Sequence, residues 1–207
     1  MTTREAKRLQ TRERLLGAAI AEFKRAGMAD ADVGTIVSAA GVAHGTFFFH
    51  FPTKEHVLLE LERREEARIA KRFATFTKTH DDLATALEES VRLVLGLERR
   101  LGAVLFKDFL ALHFSPTRPP AEEGDDHPLI VLVAESIDRA QRNGSIDPGV
   151  TPMNSAIYFL LGLYALLITV GDSPARKGLI EDYLTRTLRS LQPAVSSRRS
   201  GRPSGTP

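Results

Sequence analysis

Apolar residues recur along this chain at spacings of three and four, and no segment alternates apolar with polar residues over a convincing strand length. That regularity restricts the fold to helices, because a stripe at i, i+3, i+4 and i+7 reaches one face only on a helix. Leu16, Ala19, Ile20 and Phe23 obey it and predict a first helix from about Arg4 to Ala26, stopped at Gly27. Asp32 can cap a short second helix that turns Val33, Ile36, Val37 and Ala40 inward and ends at Gly41. A third runs from about His44 to His50 and is broken by Pro52; Thr53 then caps a long fourth helix reaching about Lys78. Within the fourth, Glu62-Arg63-Arg64-Glu65-Glu66 reads as a solvated face.

The remainder reads as five more helices. Leu83, Leu87, Val91 and Val94 mark one, and Phe106, Phe109, Leu110 and His113 the next. A loop rich in proline and acid, from Ser115 to Asp126, precedes a helix marked by Ile130, Val133, Ala134 and Ile137. Thr151-Pro152 and Ser173-Pro174 repeat one device, a hydroxyl cap followed by proline at the first helical position. The helix after Pro152 is apolar all round, which predicts cover on both sides. Its most apolar part, Ala156 to Val170, is shorter than the roughly 20 residues of a membrane span, so a buried helix is expected and no membrane partner. Ile180, Tyr183, Leu184, Thr187, Leu188 and Leu191 stripe the last helix.

Composition excludes some chemistries. The 207 residues include no cysteine, which removes disulfides, thiolate nucleophiles and thiol switches and fits a reducing cytoplasm. The polar N-terminus has no apolar stretch of the secretory kind. No Ser-His-Asp ordering, paired-carboxylate motif, Gly-rich phosphate loop or metal-spaced cluster is seen, so neither enzyme activity nor a cofactor nor a metal is expected. His44, His50 and His56 recur every six residues, which does not align them on a helix, and His113 on its apolar stripe reads as a core histidine more readily than as a ligand contact. The net charge of +2 hides segregation. Arg4, Lys7, Arg8, Arg12, Arg14, Lys24 and Arg25 outnumber Glu5, Glu13 and Glu22 at the N-terminal end, Glu122 to Asp126 is acidic, and Arg198, Arg199 and Arg202 make the tail basic. A basic N-terminal end suggests a polyanionic partner.

The most informative segment is Asp32 to Lys54, where two short helices flank a tight turn at Gly41-Val42-Ala43. This is helix-turn-helix geometry, with a second helix small enough for the major groove of DNA. The run Gly41-Val42-Ala43-His44-Gly45-Thr46-Phe47-Phe48-Phe49-His50-Phe51-Pro52-Thr53-Lys54 strongly resembles the TetR family's Gly-Val-Ser-x-Gly-Thr-Leu-Tyr-x-His-Phe-x-Ser-Lys. The upstream Arg-x-x-Leu-x-x-Ala-Ala-x-x-x-Phe-x-x-x-Gly frame is present as Arg12, Leu15, Ala18, Ala19, Phe23 and Gly27. Departures fall at Ala43 for serine, Phe48 for tyrosine and Asp32 for a frequent threonine.

The resemblance implies an all-α, TetR-like chain of about nine helices. A DNA-binding unit of three helices, residues 1–53 with the helix-turn-helix at about 32–51, would precede a ligand-binding and dimerisation domain, 54–192, and a disordered basic tail, 193–207. It implies that Val42, Phe47 and Phe51 pack the recognition helix on its core. His44, Gly45, Thr46 and Phe48 would face base edges, and Phe49, His50, Thr53 and Lys54 would meet phosphates. Phe106, Phe109, Leu110, His113 and Tyr158 would wall a mostly apolar ligand pocket, and Leu163, Leu166, Tyr183 and Leu188 would form a homodimer interface. The expected function is a transcriptional repressor that leaves operator DNA when a small hydrophobic or aromatic effector binds. A small all-helical enzyme or carrier with an incidental helix-turn-helix is the alternative.

Overall fold

The computed structural model describes residues 2–120 and 127–193. The acidic run Glu122 to Asp126 and the basic tail beyond Pro193 lie outside the described residues. Among these, all regular structure is helical: α1 (Thr3–Ala26), α2 (Val33–Ala40), α3 (His44–His50), α4 (Lys54–Phe76), α5 (Leu83–Leu101), α6 (Ala103–Ala111), a 3-10 turn (Leu112–Phe114), α7 (Pro128–Arg142), α8 (Pro152–Val170) and α9 (Arg176–Leu191). The number and order agree with the pattern of apolar spacings.

Local chemistry sets most boundaries. Thr2 and Glu5 cap α1 reciprocally, each side chain accepting the other's backbone N–H. Asp32 accepts from the N–H groups of Gly34 and Thr35 at the start of α2, and Gly41 ends that helix in the left-handed region at φ 63°. Other expected caps are not formed. Thr53 and Thr151 stand at N-cap positions without a side-chain bond to the helix, the Thr53 hydroxyl pairing with His56 Nδ1 at 3.0 Å instead. Ser173 makes a turn with Ala175, so α9 starts only at Arg176.

Leu15, Leu16, Ala19 and Phe23 of α1 bury against Ile36 and Val37 of α2 and Phe47 of α3, and the core continues without a break into the larger bundle. There α8 packs against α6, α7 and α9, while α4 lies against α5 and α7. By length and composition α8 could cross a membrane, with a mean hydropathy of 1.8. Here it turns Ala156, Phe159, Leu160, Leu163, Tyr164 and Leu167 into the bundle. Within one chain the opposite face stays uncovered, with Tyr158 72 % exposed and Ala165 and Thr169 exposed with it.

The crossing of α8 and α9 depends on a missing side chain. The Tyr183 ring stacks on Phe159, and its hydroxyl donates to the Phe159 carbonyl at 2.7 Å. A Cβ on Gly162 would come within 3.0 Å of Tyr183 Cζ, closer than packed atoms approach. Gly162→Leu should therefore displace the ring and cost about 1–3 kcal/mol. Thermal unfolding should show a melting temperature lower by roughly 2–12 °C; an unchanged value would mean that α9 is not held by this contact.

Candidate DNA-binding surface and sensor cavity

The three successive phenylalanines of α3 divide as helical geometry requires. Phe47 is fully buried, while Phe48 and Phe49 are 47 % and 68 % exposed. Phe51 is also fully buried, and Val42 packs at the edge of the core. His44 and Gly45 are exposed, and Thr46 and His50 are partly so. No atom of another element lies within 4 Å of where a Gly45 Cβ would be, so that glycine leaves open space on the outer face of α3. Ala43 gives α3 no side-chain cap, as its methyl group dictates.

A basic groove runs beside this face. Arg4, Lys7, Arg8 and Thr11 of α1 and Thr46, Phe49 and His50 of α3 line a hollow of about 560 Å³, with the Arg8 guanidinium 5.5 Å from the Phe49 ring. Burial, aided by the nearby charges of Arg8 and Arg12, holds the His50 imidazole below its usual range. At neutral pH it is thus an uncharged hydrogen-bonding group. Lys54 departs from the reading of a free phosphate contact. Its ammonium donates to the carbonyls of Ala29 and Ala31, at 2.8 and 3.2 Å, and clasps α4 to the turn before α2.

Further bonds join the three N-terminal helices to the rest. Arg12 donates to the His50 carbonyl at 3.0 Å and to Glu60 at 2.7 Å, with its guanidinium 4.3 Å over the Phe51 ring. Arg64 bridges Glu13 and Glu60. Asp108 of α6 accepts from the Met28 N–H at 2.7 Å, and Lys24 donates to the Arg100 carbonyl at 2.8 Å. The end of α3 is thereby tied to α4, and α1 with the turn after it to α5 and α6.

On α4, two turns beyond Lys54, the charged run behaves otherwise than its composition suggests. Glu62 and Glu66 are buried, at 3 % and 9 % exposure. Arg118 donates to both Glu62 oxygens at 2.9 Å, and His127 Nδ1 lies 3.0 Å from Glu66 Oε1. His113 Nε2 is 3.1 Å from Glu62 Oε1, although neither nitrogen of this ring satisfies hydrogen-bond geometry. Burial alone would raise the Glu62 carboxyl, but His113 and Arg118 outweigh it and hold the group at about 2. Burial likewise opposes charge on His113, and Glu62 and Glu66 overcome it, moving the ring up to about 9. Burial also pushes the Tyr164 hydroxyl above its ordinary value.

These groups border a cavity of about 250 Å³ lined by Glu66, His113, Arg118, His127, Ile130, Ile157, Leu160, Leu161 and Tyr164. Of the residues expected to wall a ligand pocket, only His113 lines the cavity, and it sits on the 3-10 turn rather than on α6 itself. Phe106, Phe109 and Leu110 are core residues of α6, and Tyr158 stands on the outer face of α8. Of the residues expected at a dimer interface, Leu163 is fully buried within one chain, whereas Leu166, Tyr183 and Leu188 are partly buried at its edge. Glu62, Glu66, Arg118, His127 and Tyr164 went unremarked as site residues. A sign was available, for two glutamates at i and i+4 repel on a helix unless something compensates them.

A short helix, a three-residue turn and a second helix with an exposed outer face, braced by α1, form a helix-turn-helix. Residues 15–61 match the family of bacterial regulatory proteins called the tetR family. The HTH-type transcriptional regulator YdgC of Bacillus subtilis (strain 168) is 37% identical over 67 residues, 32% of this chain, and the match spans only 34% of that protein's length. The whole fold is similar to Thermus thermophilus FadR, a TetR-family transcriptional repressor solved with lauroyl-CoA, with a TM-score of 0.67 and 23% identity over 94% of this chain and 100% of that one. It is similar also to Bacillus subtilis FadR solved with stearoyl-CoA, with a TM-score of 0.65 and 16% identity over 87% and 99%. RolR solved with resorcinol gives a TM-score of 0.66 and 16% identity over 90% of each chain. The tetR-family match thus covers the helix-turn-helix segment, and the fold of the whole described chain is similar to that of TetR-family structures.

The Asp108 contact generates a prediction about how the two parts are joined. Asp108→Ala leaves the Met28 N–H without its acceptor and should cost about 1–2 kcal/mol. Hydrogen exchange at Met28 should accelerate while amides of α8 keep their protection; equal acceleration in both would mean global destabilisation rather than a local latch.

Proposed function

We propose that this protein is a ligand-responsive transcriptional repressor that binds operator DNA as a homodimer in the cytoplasm. Residues 1–53 form its DNA-binding unit and 54–192 its sensor and dimerisation domain. The observation that carries this reading is the double attachment of α4. Its first turn is clasped to the N-terminal unit through Lys54, and further along it supplies both buried carboxylates beside the cavity. A displacement of Glu62 or Glu66 by a bound molecule therefore moves the same rigid rod that carries Lys54. Rigid-body shifts of this kind typically couple sites by about 1–3 kcal/mol.

On the DNA side, His44, Gly45, Thr46 and Phe48 are the candidates for base edges, with Phe48 placed to pack on a thymine methyl. Phe49, His50 and Thr53, joined by Arg4, Lys7 and Arg8, would follow the phosphates. Lys54 would act mainly by holding the helix-turn-helix in register. On the effector side, Ile130, Ile157, Leu160 and Leu161 offer an apolar wall and Glu66, His113, Arg118 and His127 a polar end. At about 250 Å³ the space is below the roughly 300–1,000 Å³ of drug-sized ligand sites. A compact, mostly apolar effector with one polar end suits it, nearer in size to the resorcinol found in RolR than to a long acyl chain.

The test is an anisotropy titration with a duplex selected from random DNA, repeated with compounds that raise the melting temperature. Tight binding that such a compound weakens supports the reading; indifference to duplex DNA would sink it. Two variants sharpen the result. Phe48→Ala should relax preference at one base position per half-site, worth about 1–3 kcal/mol there. Loss of affinity without change of preference would make Phe48 structural. Tyr158→Arg, on the exposed face of α8, should leave the fold intact and yield monomers on sedimentation, with operator binding lost because one half-site alone is weak. A persistent dimer would move the interface elsewhere.

A further inference from the structure

The cluster beneath the cavity has a feature that ion pairing alone does not explain. The His113 side chain is 6% exposed, yet neither of its ring nitrogens makes a hydrogen bond. Buried polar groups without a partner are rare and costly. Nε2 nevertheless points into the group formed by Glu62, Glu66 and His127, and one donor atom from each of the four residues lies within 4.8 Å of the others.

The separations carry the argument further. A tetrahedral zinc ion with ligands at about 2.0–2.1 Å requires its donor atoms to stand about 3.3 Å apart. Glu62 Oε1 lies 3.1 Å from His113 Nε2 and 3.9 Å from His127 Nδ1. Glu66 Oε1 lies 3.7 Å from His113 Nε2 and 3.0 Å from His127 Nδ1. These edges bracket the required value, so small side-chain rotations would complete the polyhedron. We propose that Glu62 and Glu66 of α4, His113 of the 3-10 turn and His127 at the start of α7 bind one divalent first-row transition-metal ion, with zinc as the best fit to two nitrogen and two oxygen donors.

The surroundings suit such an ion. Imidazole and carboxylate together favour zinc, iron, nickel or copper over calcium and magnesium, which take oxygen. Arg118 holds both Glu62 oxygens from outside the donor set, the kind of support that orients ligating carboxylates. The two carboxylates outweigh the single arginine, leaving net negative charge for a cation when both imidazoles are neutral. Binding would release the protons that otherwise balance this charge. The bound ion would tie α4 to the 3-10 turn and to α7, and it would stand at the wall of the cavity, where Glu66, His113 and His127 are lining residues. The proposal depends on this geometry and not on the repressor reading, so metal binding and operator binding are scored in separate assays.

The experiment uses the full chain, stripped with a chelator and titrated with Co²⁺ and then Zn²⁺. One Co²⁺ per chain should bind with the intense visible absorption of four-coordinate ligation, and Zn²⁺ should displace it and raise the melting temperature. Glu66→Gln and His127→Gln should each weaken Zn²⁺ by at least about a hundredfold, the upper end of what losing even an outer partner costs. His127 is partly exposed, so its replacement should keep the helical circular dichroism. His80→Gln, at an exposed site away from the cluster, should leave the affinity unchanged. The wild-type spectrum also decides the matter without any variant. Absence of stoichiometric binding at micromolar Zn²⁺, a six-coordinate Co²⁺ spectrum, or affinity that survives both substitutions within tenfold would each overturn the proposal.

Discussion

Two carboxylates one turn apart on α4 are withdrawn from water, and the architecture around them follows from that. Burying an ionised group costs several kcal/mol even after relaxation, and a second like charge beside it adds to the cost. Glu62 and Glu66 are tolerated because Arg118, His127 and His113 arrive from residues beyond α6 and surround them. The position of α4 therefore depends on the 3-10 turn and the start of α7, not merely on the apolar surface that α4 shares with α5. Removing one partner would leave an uncompensated charge in the interior, so the arrangement is one in which small changes have large effects.

The same helix bears on the N-terminal unit of α1 to α3. Lys54, Glu60 and Arg64 on α4 meet the turn before α2, Arg12 and Glu13 in turn, while Asp108 and the Arg100 carbonyl hold α1 from the other side. Two of these are partly exposed ion pairs, which individually contribute little, and three are bonds between a charged side chain and a backbone group. Their value lies in geometry, since they attach a small helical unit to a larger bundle at several points on two helices. Phe47 and Phe51, fully buried, anchor α3 into that unit and leave Phe48 and Phe49 outside.

Much of this was legible beforehand. The limits of α3, the Asp32 cap, the left-handed stop at Gly41 and the division of the three phenylalanines are consequences of local stereochemistry, which a linear sequence carries in full. The motif from Gly41 to Lys54 also carried the resemblance that the tetR-family match over residues 15–61 bears out. The capping hydroxyls at Thr53 and Ser173 misled because a side chain with an alternative local partner need not take the helix terminus.

Tertiary structure alone decided the rest. Glu62 and Glu66 sit in a run of mixed charge that resembles any solvated helix face, and their partners lie far along the chain, 61 positions for His127 with Glu66 and 56 for Arg118 with Glu62. Burial of a charged residue is a property of what packs over it. The helix α8 shows the converse, because residues that are apolar on every side offer no periodic contrast to say which face turns inward. Leu163 and Tyr158 are both apolar members of one helix, yet one is core and the other lies open. The chain's linear order thus determined which helices form, since helix formation depends on neighbours three and four residues apart. Which of their faces meet, and what chemistry those faces enclose, was decided only when distant helices came together.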